Sequence, residues 1–143
     1  MSKPDVQRVK QALVDAGVEI YRTDESRIQI AERIRLHIMD SGVRVELDEH
    51  VRVLFTARSQ RSDFPNAKAD ELFEKVRHSV GTEAGSRGYA ERDATTIEVK
   101  DPVDQSRILD VWHEVTYAKE LPDFGAVVDE VRWALEVEKY VNG

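Results

Sequence analysis

The chain contains no cysteine. That absence excludes disulfides, thiolate nucleophiles and every metal site that needs a cysteine ligand. Proline and glycine number four and seven in 143 residues, too few for a collagen-like or low-complexity chain, and no linker or internal repeat is visible. No apolar run approaches the roughly 18 residues that cross a bilayer as a helix. The opening stretch, "MSKPDVQRVKQALVDAG", lacks the continuous apolar core of a signal peptide, so the expectation is a cytoplasmic protein that does not engage a membrane.

Catalytic and cofactor motifs are missing too. No G-x-S-x-G elbow occurs, and "GTEAGSRG" (81–88) has neither Walker spacing nor a following Lys-Ser/Thr, so it reads as an ordinary loop. The four histidines, His37, His50, His78 and His113, have no ligand spacing, and neither a metal nor a cofactor is expected.

Positive charge is in short supply. The net charge is −7, and all of the excess acid lies in residues 89–143, where thirteen acids face six bases. Arg22, Arg27, Arg33, Arg35, Arg44, Arg52, Arg58 and Arg61 form the one arginine-rich series, but seven acids interleave with it. A mixed-charge solvated surface accounts for that pattern better than a nucleic-acid footprint, which needs concentrated basic charge. A hydrophobic fraction of 41 % beside 34 % charged residues describes a folded domain rather than a disordered chain.

Periodicity supplies the elements. Pro4 at a first helical position, the stripe Val6, Val9, Leu13 and Ala16, and Gly17 just beyond define a helix over 4–16. Residues 18–22 read as a short extended piece. Residues 24–41 fit two patterns: Ile28, Ile30, Ile34, Leu36 and Ile38 alternate as in a strand, whereas Thr23 or Asp24 as a cap and Gly42 as a stop favour a helix, which is the expectation. "VRVEL" (43–47) and "VRVLFTARS" (51–59) alternate cleanly around Asp48, Glu49 and His50, which predicts a hairpin. Pro65 opens a helix to about Val80, with Ala69, Leu72, Phe73, Val76 and Val80 as its apolar stripe and Gly81 as its end. A second hairpin is expected over 89–121. β-Branched and aromatic enrichment from Val111 to Tyr117 favours strand over the helical alternative that Asp101, Pro102 and Asp104 would start. A last helix is expected over 123–141.

The expected fold is α+β, a single domain over 1–143. Its mostly antiparallel sheet comes from two hairpins, about 43–59 and 89–121, packed by three to four helices, about 4–16, 65–80 and 123–141 with 24–41 as the fourth.

Three groups of residues are candidates for function. His113 shares a strand face with Tyr117 amid apolar residues. It is either a core histidine or, with Tyr117, a proton-transferring pair in a pocket. Arg58 and Arg61, after a strand and ahead of the Pro65 helix, are candidates for an anion site. The 123–141 helix carries two apolar stripes, and the second, Trp133, Val137 and Tyr140 with Ala126, exceeds what one core needs, so it is the expected contact for a protein partner or a homodimer.

In size, charge and helix/strand alternation the chain is broadly comparable to the small acidic chaperones of bacterial secretion systems, with no motif behind the comparison. The expectation is a non-enzymatic interaction, adaptor or chaperone-like domain. The alternative is a small-ligand binder or enzyme with a pocket near His113 and Tyr117.

Overall fold

The computed structural model describes residues 6–142. Pro4, the expected start of the first helix, lies outside the described residues. The fold is α+β, with a seven-stranded, mostly antiparallel sheet. Its strands are β1 (Ile20–Thr23), β2 (Arg27–Ile34), β3 (His37–Leu47), β4 (Val51–Gln60), β5 (Ala90–Lys100), β6 (Ile108–Leu121) and β7 (Tyr140–Val141). They are hydrogen-bonded in the order β1-β2-β3-β4-β6-β5, and β7 pairs in parallel with β4. Both hairpins expected from alternation, β3–β4 and β5–β6, are present.

The chain divides into two compact units, residues 1–55 with 118–137, and residues 56–117 with 138–143. In the first, α1 (Val6–Asp15) buries Val9 and Leu13, the centre of its predicted stripe. Each such burial is worth about 2 kcal/mol. Ile28 and Ile30 of β2, Val43, Val45 and Leu47 of β3, and Val51, Val53 and Phe55 of β4 supply the sheet side of the core. Helix α4 (Val127–Glu136) covers it with Val127, Val131 and Ala134, and Glu130 of α4 accepts a hydrogen bond from the Lys119 ammonium at 2.9 Å.

Residues 24–41 are not a helix. They are β2, a turn at Arg35–Leu36 and the start of β3, in the register Arg33↔Ile38 and Ile34↔His37. The cluster expected to cap a helix closes the β1–β2 turn instead: the Asp24 carboxylate accepts the Ser26 N–H at 2.9 Å. Caps and turns use the same side-chain chemistry, so the residues alone do not separate them. Gly42, expected as a helix stop, sits at φ 81° where the register of β2 on β3 shifts between Gln29 and Ala31. There the Ser41 hydroxyl donates to the Ile30 carbonyl at 2.8 Å. This is a bulge whose backbone favours a residue without a Cβ.

In the second unit, α2 (Ala69–Val76) continues through a π-helical turn, Arg77–Gly81, into α3 (Thr82–Ser86). The helix therefore starts four residues after Pro65 and passes through Gly81, and 81–88 is not simply a loop. A Cβ at Gly81 would lie 2.6 Å from the Tyr117 hydroxyl oxygen. This glycine thus serves close packing inside a helix rather than helix termination. Leu72, Val76, Val80, Ala84, Tyr89, Val115 and Tyr117 are buried in this unit.

The final helix is shorter than its expected 123–141. The Asp123 carboxylate accepts the Gly125 N–H at 2.8 Å, a 3-10 turn follows, and the helix ends at Glu136 because Val137 is extended, at φ −64° and ψ 138°. No Gly or Pro marks that stop. Beyond it the chain is claimed by β-pairing: the Arg58 N–H donates to the Lys139 carbonyl at 2.7 Å and Arg58 lies opposite Tyr140.

Candidate functional site

His113 is fully buried on β6. Its Nδ1 lies 3.2 Å from the Thr96 hydroxyl, its ring stands edge-on to Phe73 with centroids 5.0 Å apart, and Nε2 makes no hydrogen bond within the protein. Burial, helped by the nearby positive charge of Arg61, holds its pKa below the usual imidazole range, so the ring is neutral at pH 7. Tyr117 is also buried, and burial followed by the negative charge of Glu91 raises its pKa, against a smaller opposing effect of Arg77. Four residues apart on one strand, the two side chains are separated by about 13 Å. They do not share a proton.

Arg58 and Arg61 do not converge on one anion. Both Nε and Nη2 of Arg58 donate to one Glu114 carboxylate oxygen, at 2.9 and 2.8 Å, and the guanidinium lies 3.6 Å over the Trp112 ring. A cation already paired and stacked has little left for a ligand. Arg61 opens the 3-10 turn Arg61–Asp63 and is exposed to solvent.

Around these residues the second unit builds a polar network. Asp110 accepts the Ser62 N–H and hydroxyl at 3.0 and 2.7 Å and the Trp112 indole N–H at 3.3 Å. Although burial works to raise its pKa, these hydrogen bonds outweigh it and keep the carboxyl below the ordinary range. The Tyr140 hydroxyl donates to Gln60 at 3.0 Å and also contacts Asp63. Such a closed set of pairs holds β4, β6 and β7 in place rather than presenting a reactive group.

The expected partner stripe is distributed differently. Trp133 is half-buried, its ring edge-on to Phe55 at 5.7 Å, and Val137 is buried. Tyr140 stands in β7, past the end of the helix. The three therefore do not form one helical face, because the helix stops before Val137 and Tyr140.

A different apolar surface is open in the first unit. Beyond the Gly42 bulge every residue from 32 to 40 is exposed, so the outer half of the β2–β3 hairpin is an arm with no core of its own. Ile34, Ile38 and Met39 are 48–51 % exposed, and Leu36 at the apex is 91 % exposed. Residues 33–39 include two arginines and no acid, although Arg33 is held by Glu19 at 3.0 and 3.2 Å. Sequence reading misses this arm for want of a turn signal. The alternation from Ile28 to Ile38 is the one clue.

A cleft of about 250 Å³ runs along the π-helical turn, lined by Ser79, Val80, Glu83, Glu138, Tyr140 and Val141 among others. Neither His113 nor Tyr117 lines it. Among the described residues no group of three His, Asp or Glu side chains is placed to hold a metal ion, and no helix is long and apolar enough to cross a membrane. Comparison of the chain with protein-family models, curated proteins and solved structures finds no match.

Proposed function

We propose that this chain is a non-enzymatic interaction domain of the adaptor or chaperone-like kind, which docks a protein partner through the outer arm of the β2–β3 hairpin. One observation carries the reading: four large apolar side chains stand exposed on a nine-residue arm, Ile34 and Met39 on one face of the hairpin, Ile38 on the other and Leu36 at the turn. Scattered apolar residues at a surface need no explanation, but four within six residues at the end of one hairpin mark a contact site. Arg35 and His37 interleave with these side chains, whereas Arg33 is held by Glu19, and Glu32 and Asp40 stand at the base of the arm, so the apolar side chains and not the charges carry the contact. Anionic lipid and nucleic acid are disfavoured by the net charge of −7.

The test is site-specific photo-crosslinking from position 36 in cells that express the chain, with the same photoreactive group at Glu25 as the reference surface. Discrete adducts from position 36, lost when Ile34→Asp and Ile38→Asp are added, are expected. Equal, diffuse labelling from both positions would contradict the proposal.

The second reading, a small-ligand binder or enzyme using His113 and Tyr117, draws its support from the buried Nε2 of His113, which has no hydrogen-bond partner in the protein. A ligand donor would complete it. The two readings part at His113→Gln. An interaction domain responds with a lower melting temperature and unchanged adducts at position 36, whereas a ligand site responds with lost ligand binding in a fold of unchanged stability.

A further inference from the structure

We infer that β5 is a dimerisation edge, at which a second copy of this chain adds its own β5 antiparallel about a twofold axis through Thr95. The inference uses a surface separate from the hairpin arm and does not depend on it.

β5 ends the strand order, so among the described residues one of its sides has no neighbouring strand. Ten of its eleven residues are exposed, although the Thr96 hydroxyl reaches His113 and the Glu91 carboxylate accepts from Arg77. A terminal strand of this length presents a row of backbone N–H and C=O groups that can template another strand, and folded proteins ordinarily shorten, bulge or charge such edges. The strand at the other end of the order, β1, shows that management: it has four residues and an irregular register between Ile20 and Arg22. In β5 the middle, Ala94-Thr95-Thr96-Ile97, carries no charge and no proline, and the charged residues Glu91, Arg92, Asp93, Glu98 and Lys100 lie to either side.

The positions of those charges select the occupant. Residues opposite one another in a sheet must point to the same face, so a twofold axis relating two copies of β5 has to pass through a residue. With the axis on Thr95 all eleven residues overlap: Arg92 stands opposite the partner's Glu98, Glu98 opposite the partner's Arg92, and no like charges meet. Moving the axis to Thr96 sets Arg92 against the partner's Lys100, and moving it to Ala94 sets Glu98 against the partner's Ala90; each shift shortens the overlap to nine residues. The register that pairs the most backbone is thus the one whose cross-strand charges agree.

Sedimentation velocity tests this with the full chain. The wild type is expected to dimerise in the sub-millimolar range. Arg92→Glu and Glu98→Arg, each of which sets two like-charge pairs across the axis, are each expected to weaken the dimer about tenfold. Equimolar mixing of the two single variants should restore a heterodimer, because position 92 of each chain then faces the opposite charge at position 98 of the other. No folding defect produces that outcome. A wild-type chain that stays monomeric, or a dimer indifferent to both swaps and to their mixing, would overturn the inference. Adducts at position 36 are read separately, so either surface can fail without the other.

Discussion

The inner and outer halves of the β2–β3 hairpin use the same residue types in opposite surroundings. Inside the bulge, Ile28, Ile30, Val43 and Val45 are fully buried; outside it, Ile34, Ile38 and Met39 are about half exposed and Leu36 almost wholly so. Alternation is therefore sufficient to make a strand but does not decide whether the strand has a core to meet. Gly42 marks the border, since its φ of 81° lets the register shift there.

Replacing residues on the two sides of that border puts the contrast to the test. Ile30→Ala, in the inner half, should cost about 3 kcal/mol in denaturant titration, the usual range for emptying a packed isoleucine site. A loss below about 1 kcal/mol would mean that the inner half is not core. Gly42→Ala comes next. Space for a Cβ exists there, so the cost is conformational, about 1 kcal/mol from the positive φ. If alanine is neutral, the bulge does not hold the border.

At the tip, Arg35 occupies φ 57°, a conformation ordinarily given to Gly, Asn or Asp in two-residue hairpin turns. Arg35→Gly should raise stability by about 0.5–1 kcal/mol, seen as a higher denaturation midpoint at unchanged slope. Ile38→Asp, in the outer half, should change stability by no more than about 0.5 kcal/mol while removing adducts at position 36. Together with Ile30→Ala it makes the sharpest version of the contrast: one residue type, one hairpin, two roles.

The second unit offers a comparison of another kind, a polar side chain at an inward position. Because the folded pKa of His113 lies below its unfolded value near 6.5, the unfolded chain takes up the proton more readily. Its contribution is then full above about pH 6.5 and is lost as pH falls from there through the depressed folded value. Denaturant titrations of the wild type and His113→Phe at about pH 8 and about pH 5 should show a smaller acid loss in the variant. Equal losses would remove His113 from the account.

Much of the fold is legible in the residues and the failures have physical causes. The β3–β4 hairpin is readable because Asp48 carries turn chemistry, its carboxylate accepting the His50 N–H at 2.8 Å. The β5–β6 turn is readable for a similar reason: Asp101 and Asp104 accept the N–H groups of Val103 and Ser106 at 2.8 and 3.1 Å. The Arg35–Leu36 turn has no such residue, so the alternation flanking it is open to a helical reading. Gly81 and Gly42 both resemble helix stops, yet one gives room to Tyr117 and the other forms a bulge. The end of α4 at Glu136 follows from β7 pairing with β4, a long-range effect that local propensity does not carry. Of the candidate sites, the burial of His113 is visible in its strand face, whereas the Arg58–Glu114–Trp112 stack requires the pairing of β4 with β6. The exposed arm requires knowing where the core stops.

The contact role of the arm is tested most directly by hydroxyl-radical footprinting of the chain, both purified and inside expressing cells. Ile34, Leu36, Ile38 and Met39 should oxidise readily in the purified chain and be protected in cells, while Val103, 95 % exposed, reacts alike in both. Equal oxidation of the four side chains in the two settings would contradict the account.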